Sequence, residues 1–140
     1  MLFRSDQFWA GIRDYYALHR NGNATTTDFR HAMERASGKD LTAFFNQWLY
    51  RGGIPRIEGT WMWDATAKQV IVELRQTQKG APFVLPIDVA ISAVDGTSRA
   101  ERITLSGSST RITFASATNP ATVELDPNVR TLMDAQMVRR

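Results

Sequence analysis

The side chains best suited to metal or acid–base chemistry are two histidines, His19 and His31, with Glu34 three positions after the second. A zinc peptidase sets His-Glu-x-x-His on one helix, so that two imidazoles a turn apart grip the metal and the glutamate activates water. Here His31-Ala32-Met33-Glu34 offers one His and one Glu at i and i+3. That pair can share a helix face, but two ligands do not make a zinc site. The plainer reading is a solvated pair on the outer side of a helix. Cysteine is absent, which excludes disulfides and thiolate metal sites. Serines are plentiful, yet no Gly-x-Ser-x-Gly elbow occurs, and Ser106-Gly107-Ser108-Ser109 reads as a turn between strands. Glu124 and Asp126 alternate onto one side of a strand, as a carboxylate pair for proton transfer would; a solvent-facing edge explains them equally well. No glycine loop suited to phosphate is present. Trp61 and Trp63 share a strand face and could stack a sugar or a base, although Ile57 on the same face makes a packed core the plainer reading. No catalytic or metal-binding residue is assigned within this chain, and its binding residues are left open.

These side chains are carried by elements whose period changes near residue 55. Before it, apolar residues follow helical spacing; after it, they alternate. A first helix starts at Ser5 or Asp6, lines one face with Phe8, Ile12, Tyr15 and Tyr16, and breaks at Asn21-Gly22-Asn23. A second begins within Thr25–Asp28, where a threonine caps and Asp28 favours the positive end of the dipole. Its buried stripe is Phe29, Ala32, Met33 and Ala36, and Gly38 stops it. A third is capped by Asp40, buries Leu41, Phe44, Phe45, Trp48 and Leu49, and ends at Gly52-Gly53 before Pro55.

From Ile57 on, six runs read as strands. The clearest sets Phe83, Leu85, Ile87, Val89 and Ile91 against Val84, Pro86, Asp88, Ala90 and Ser92. Pro86 cannot donate a ladder bond, so the strand is expected to be an edge there. Asp95-Gly96 suits a hairpin turn. Short alternating strands at this spacing predict an antiparallel β-sandwich, and Val129 to Met137 is expected to add a C-terminal helix. The expected fold is therefore α+β, with residues 1–53 helical and 54–140 a sandwich.

With 140 residues, 43% of them hydrophobic and 22% charged, the chain can bury a core and has the composition of a soluble globular protein. A formal charge of +3 with scattered basic residues argues against nucleic-acid binding. No apolar run approaches the ~20 residues that span a bilayer, and the first six residues lack the features of a signal peptide. The compartment stays open.

Four pieces, in order, resemble the M1-family (gluzincin) zinc aminopeptidases. Phe8–Tyr15 is similar to the helix that follows the family's catalytic tyrosine segment. His19-Arg20-Asn21-Gly22-Asn23-Ala24-Thr25-Thr26-Thr27-Asp28-Phe29 resembles its turn and helix start. Asp40 through Trp48, then Gly53-Ile54-Pro55, is similar to its last helix and Gly-x-Pro exit. Val72–Gln78 and Pro82–Val89 resemble strands of its β-sandwich domain. The resemblance runs from about Met1 to Met137. It implies a parent that removes N-terminal residues from peptides with one zinc, using His-Glu-x-x-His, a downstream glutamate ligand, a Gly-x-Met-Glu-Asn motif and a tyrosine. None has a matching position here, and all would precede Met1. The large helical domain that often follows the sandwich has no counterpart either. The chain is thus expected to be a C-terminal part of such an enzyme: the end of a thermolysin-like catalytic domain plus the sandwich. It would have a scaffolding role and hold no cofactor of its own; zinc would sit in the parent.

The expected partners are the rest of the catalytic domain and, through the parent, a peptide substrate. Among Phe8, Trp9, Tyr16, Phe44, Phe45 and Trp48, some should lie exposed, since three short helices cannot bury two apolar sides among themselves; a homodimer could hide them. Two other readings are a stand-alone module that holds a protein or peptide on its sandwich, and an independent hydrolase, against which the missing site speaks.

Overall fold

The computed structural model describes residues 5–140; Met1, Leu2, Phe3 and Arg4, which the sequence reading included in its helical segment, lie outside the described residues. The chain divides into two compact units, with the boundary between Gly52 and Gly53.

In the helical unit, α1 spans Ser5–His19 and α2 spans Thr26–Ser37. The start of α2 is the expected one. Thr25 Oγ1 accepts from the Asp28 N–H at 3.2 Å and the Asp28 carboxylate accepts from the Thr25 N–H at 2.8 Å, a reciprocal cap that satisfies two free donors. Gly38, at φ 67°, closes the helix in the left-handed conformation and donates to the Glu34 carbonyl. The two helices approach closely at Gly11. A Cβ there would lie 2.6 Å from Met33 Sδ and 3.4 Å from Ala36 Cβ. Met33, Leu41 and Phe45 form the buried centre, with Ile12 and Phe29 against it.

The third helix departs from the sequence reading. It opens as one α-turn, α3 (Thr42–Phe45), and widens into a π-helical segment over Asn46–Tyr50. Asp40 still caps it, its Oδ1 accepting from the Thr42 N–H at 2.8 Å. The i→i+5 pattern turns each residue less far about the axis than an α-helix does, so the single apolar stripe splits. Leu41 and Phe45 are buried, whereas Leu49 and Tyr50 emerge 57% and 62% exposed. Of the six aromatics expected to include exposed members, Phe8, Trp9, Tyr16 and Phe44 are exposed; Phe45 instead packs into the core and Trp48 is half-buried.

The second unit is built from seven strands: β1 (Arg56–Asp64), β2 (Gln69–Gln76), β3 (Leu85–Ser92), β4 (Ser98–Leu105), β5 (Ser109–Ala115), β6 (Thr122–Leu125) and β7 (Asp134–Arg139). They form two sheets, ordered β5-β2-β1-β7 and β4-β3-β6. Ile57, Trp61, Val70, Val72, Leu74 and Phe114 of the first sheet, and Leu85, Ile87, Val89, Ile91, Leu105 and Val123 of the second, are buried. Alternation places each set on one face of its sheet. β3 is the central strand of its sheet, but β6 pairs only with Val89–Ser92, so at Pro86 only β4 flanks it. The Asp95-Gly96 hairpin is present, with Gly96 at φ 86° donating to the Ala93 carbonyl.

The expected C-terminal helix is not formed. Residues 134–139 are β7, which runs parallel to β1 and makes the larger sheet mixed rather than wholly antiparallel. Two local facts oppose a helix. Val129 sits at φ 50°, a left-handed value that breaks any helix begun there. Asp126 folds the chain back, its Oδ2 accepting from the Thr131 N–H at 2.7 Å. The tertiary gain is the free edge of β1, where Met137 packs over Gly59; a Cβ on that glycine would fall 2.8 Å from Met137 Sδ. Pairing and packing override local preference.

Candidate functional site

The residues with chemical potential are each drawn into the architecture. In α2, Glu34 Oε1 accepts from Arg30 Nη1 at 2.9 Å and from the Leu41 N–H at 2.9 Å. Arg30 Nη1 also donates to Thr42 Oγ1 at 2.6 Å. Glu34 therefore ties α2 to the start of the third helix. His31 Nε2 lies 3.2 Å from the Arg30 guanidinium, a cationic neighbour that opposes metal binding at that ring. His19 ends α1 with its ring stacked near Tyr15 at 5.3 Å between centroids.

Among the described residues, no group of three or more His, Cys, Asp or Glu could hold a metal ion. The residues present do not fit the zinc that the resemblance implies for a whole enzyme. The Asp28 carboxyl is held below its ordinary pKa, first by the Thr25 hydroxyl, then by the Thr25 N–H, with His19 and His31 adding a weaker favourable charge.

The carboxylate pair of the sequence reading does not assemble. β6 ends at Leu125; Glu124 is exposed, while Asp126 turns inward at φ 46° and is buried. Ser106–Ser108 is the turn between β4 and β5, as expected. Trp61 is 4% exposed, with the Arg139 guanidinium 4.8 Å above its ring. Trp63 donates its indole N–H to the Ser116 carbonyl at 3.2 Å. Both tryptophans belong to the packing of the sheet, not to a stacking platform.

Sequence reasoning missed Gln76, a buried side chain with a full set of polar partners. Its Nε2 donates to the Phe83 carbonyl at 2.8 Å and the Gly107 carbonyl at 3.0 Å. Its Oε1 accepts from the Phe83 N–H at 2.8 Å and from Gln78 Nε2 at 2.9 Å. The amide thereby stitches the end of β2 to the strand entry at Phe83 and to the β4–β5 turn. A glutamine at the end of an alternating strand gave no signal of this.

On the outer face of the larger sheet, a shallow depression of about 400 Å³ is lined by Glu58, Thr60, Glu73, Arg75, Arg111 and Arg140 among others. Glu73 pairs with Arg111 at 3.3 Å and Arg140 at 2.9 Å, so its carboxylate is already compensated. On the smaller sheet, Arg102 donates twice to Asp88, at 2.7 and 2.9 Å. That fork holds the Asp88 carboxyl below its usual range, and Arg130 nearby adds to the effect.

No family model matches the chain. A stretch of 97 residues is 30% identical to Aminopeptidase N of Streptomyces lividans; it covers 64% of this chain and 11% of that protein. A stretch of 60 residues is 35% identical to transcription initiation factor TFIID subunit 2 of Saccharomyces cerevisiae, covering 41% of this chain and 4% of that protein. The fold is similar to that of Legionella pneumophila aminopeptidase A, solved in complex with aspartic acid. The TM-score is 0.74 at 19% identity, over 93% of this chain and 15% of that one. This chain therefore spans only a small fraction of the length of the proteins it matches. Over most of its length the chain is thus similar in sequence to aminopeptidases and in fold to part of one, as a segment from the C-terminal part of an M1-family aminopeptidase would be.

Proposed function

We propose that this chain is a scaffolding segment of a zinc-dependent aminopeptidase that removes N-terminal residues from peptides. Its helices form the end of the catalytic domain and its β-sandwich buttresses that domain. Alone, the chain neither binds catalytic zinc nor cleaves peptides. The observation that carries this reading is the 97-residue match to an aminopeptidase. The exposed Trp9, Tyr16, Leu18, Leu49 and Tyr50 of the helical unit are the side chains that the rest of the catalytic domain would cover. An aminoacyl-anilide assay on the chain with added zinc tests the reading, together with an immunoblot for the native polypeptide. No hydrolysis and a band several times larger than this chain support it; hydrolysis by the chain alone overturns it.

A second reading rests on the stretch shared with a transcription initiation factor subunit. There a similar segment occurs in a protein named as a subunit of a larger complex, which supports a role as a protein-binding module. A native band of this chain's own size would favour that role.

A further inference from the structure

We propose that the edge of β5 is an interaction surface that pairs with β5 of a second copy, antiparallel and centred on Ile112. The hydrogen-bond ladder fixes which groups are free. Gln76 donates its N–H to the Ser108 carbonyl, and Ser116 donates to the Lys68 carbonyl, each at 2.8 Å. The even-numbered positions from Ser108 to Ser116 therefore bond toward β2. In an antiparallel ladder the main-chain groups alternate sides, so those of Ser109, Arg111, Thr113 and Ala115 point away from β2. β5 is the end strand of its sheet. On that open side the Arg99 guanidinium donates to the Ala115 carbonyl.

The other edges are blunted in the ways that natural sheets use. β4 carries Arg99, Glu101 and Arg102, with Arg99 and Glu101 ion-paired at 3.1 Å on the face that also holds Ile103 and Leu105. β6 is four residues long. β7 has a charge at each end, Asp134 and Arg139. β5, by contrast, reads Ser-Thr-Arg-Ile-Thr-Phe-Ala, rich in β-branched residues, without Gly or Pro. Its single charge, Arg111, is engaged by Glu73 of the neighbouring strand.

Symmetry selects the register. A two-fold axis normal to the sheet requires opposed residues to point to the same face, which restricts the centre to a residue rather than to a gap between two. Centring on Ile112 opposes Arg111 to Thr113 and Ser109 to Ala115, so all four outward-pointing residues pair. Ile112 then faces its own mate and Thr110 faces Phe114. Ile112 is half-buried at the rim of the core, and the second copy would cover its remaining surface.

The full chain is tested by sedimentation velocity over a concentration series, with Thr113→Pro and Thr113→Lys as edge-blocking variants. Residue 113 donates nothing to β2, so the native ladder survives either change. Each variant should weaken association about tenfold or more, since each removes or crowds main-chain bonds at the centre of the pairing. Arg99→Ala frees the Ala115 carbonyl and should tighten it. Because the chain has no cysteine, Ile112→Cys gives a direct test. Its mate would lie with Cα atoms about 4.5 Å apart, within disulfide reach, and mild oxidation should yield a covalent dimer where Thr104→Cys on β4 does not. A chain that stays monomeric throughout overturns the proposal. So does association that is insensitive to Thr113→Pro and gives no cross-link in the Ile112→Cys variant, which would assign it to the exposed helical aromatics. Binding of a free Ser109–Ala115 peptide without self-association would make the occupant another extended segment and refute the second copy.

Discussion

Replacing Gln76 by methionine keeps the length of the side chain and removes every polar atom. The Phe83 N–H, the Phe83 carbonyl and the Gly107 carbonyl each lose a hydrogen bond to the Gln76 amide. Phe83 is 1% exposed and Gln76 8% exposed, so water has little access to the Phe83 groups. An unsatisfied buried group costs about 1–3 kcal/mol. Two such groups at Phe83, with Gly107 partly relieved by solvent, give about 3–5 kcal/mol, offset by about 1 kcal/mol for the more apolar side chain. A net loss of about 2–4 kcal/mol is large against the roughly 5–15 kcal/mol typical of a domain. Urea unfolding followed by tryptophan emission should show it, since Trp61 and Trp63 lie in the same sheet. With a slope of about 1–3 kcal/mol per molar, the midpoint should fall by roughly 1–2 M. The companion Gln76→Glu separates hydrogen bonding from packing. A carboxylate can accept from the Phe83 N–H but opposes two carbonyl oxygens, so burial and those oxygens raise its pKa in the folded state. A raised folded pKa gives stability that is present below the unfolded pKa and lost as pH rises. Gln76→Glu should therefore be less damaging at pH 4 than at pH 7. A loss under about 1 kcal/mol for Gln76→Met, or no pH dependence for Gln76→Glu, would refute the reasoning.

Glu34→Ala should destabilise the helical unit by about 1–3 kcal/mol, because it strands the Leu41 N–H and leaves Arg30 without its carboxylate; helical ellipticity against temperature measures this, and Glu34→Gln, which keeps an acceptor, should cost less. Gly11→Ala gains about 1 kcal/mol of helix propensity, but the new Cβ meets Met33 at 2.6 Å inside a core where Met33 is 2% exposed. Overpacking of about 1–3 kcal/mol should win, and Met33→Val in the same chain should recover part of the loss in a double-mutant cycle. The carboxyls of Asp28, Asp40, Asp88 and Asp95 are all held below their ordinary 3.8 by hydrogen bonds from Thr25, Thr42, Arg102 and Thr97. Depressed folded values give stability that is full above 3.8 and lost as pH falls, so acid titration should lower the melting temperature below about pH 4, and Asp88→Asn should flatten that limb.

What was legible in the sequence is what periodicity and local chemistry control. Thr25 with Asp28, Gly38, Asp40 and the run Leu85–Ile91 announce their roles because cap, stop and alternation act over a few residues. The aromatic residues of the third helix also announced their burial, but not its division. That depends on a change from i→i+4 to i→i+5 bonding after Phe45, which no residue type signals. The last strand was illegible for a related reason. Asp134–Arg139 has little β-branched content, and its pairing is decided by the vacant edge of β1 and by Gly59, distant in sequence, which leaves room for Met137.

The same contrast separates the chemistry that motif reasoning could dismiss from the polar residue that it overlooked. His31 and Glu34 have the spacing of half a metal site, and the structure uses Glu34 as a pin between helices, with Arg30 on one side and the Leu41 N–H on the other. Gln76 has no motif, yet it is the buried polar group on which three segments converge. A carboxylate engaged in two structural bonds has little capacity left for a metal, and an amide with all its donors and acceptors filled has none left for a substrate. Both therefore argue in the same direction: these polar groups are committed to holding each unit in shape. A segment whose polar side chains are so committed can brace a catalytic centre without contributing a reacting atom to it; under the scaffolding role proposed above, the Glu34 and Gln76 variants would act by loosening the fold rather than by altering any chemistry.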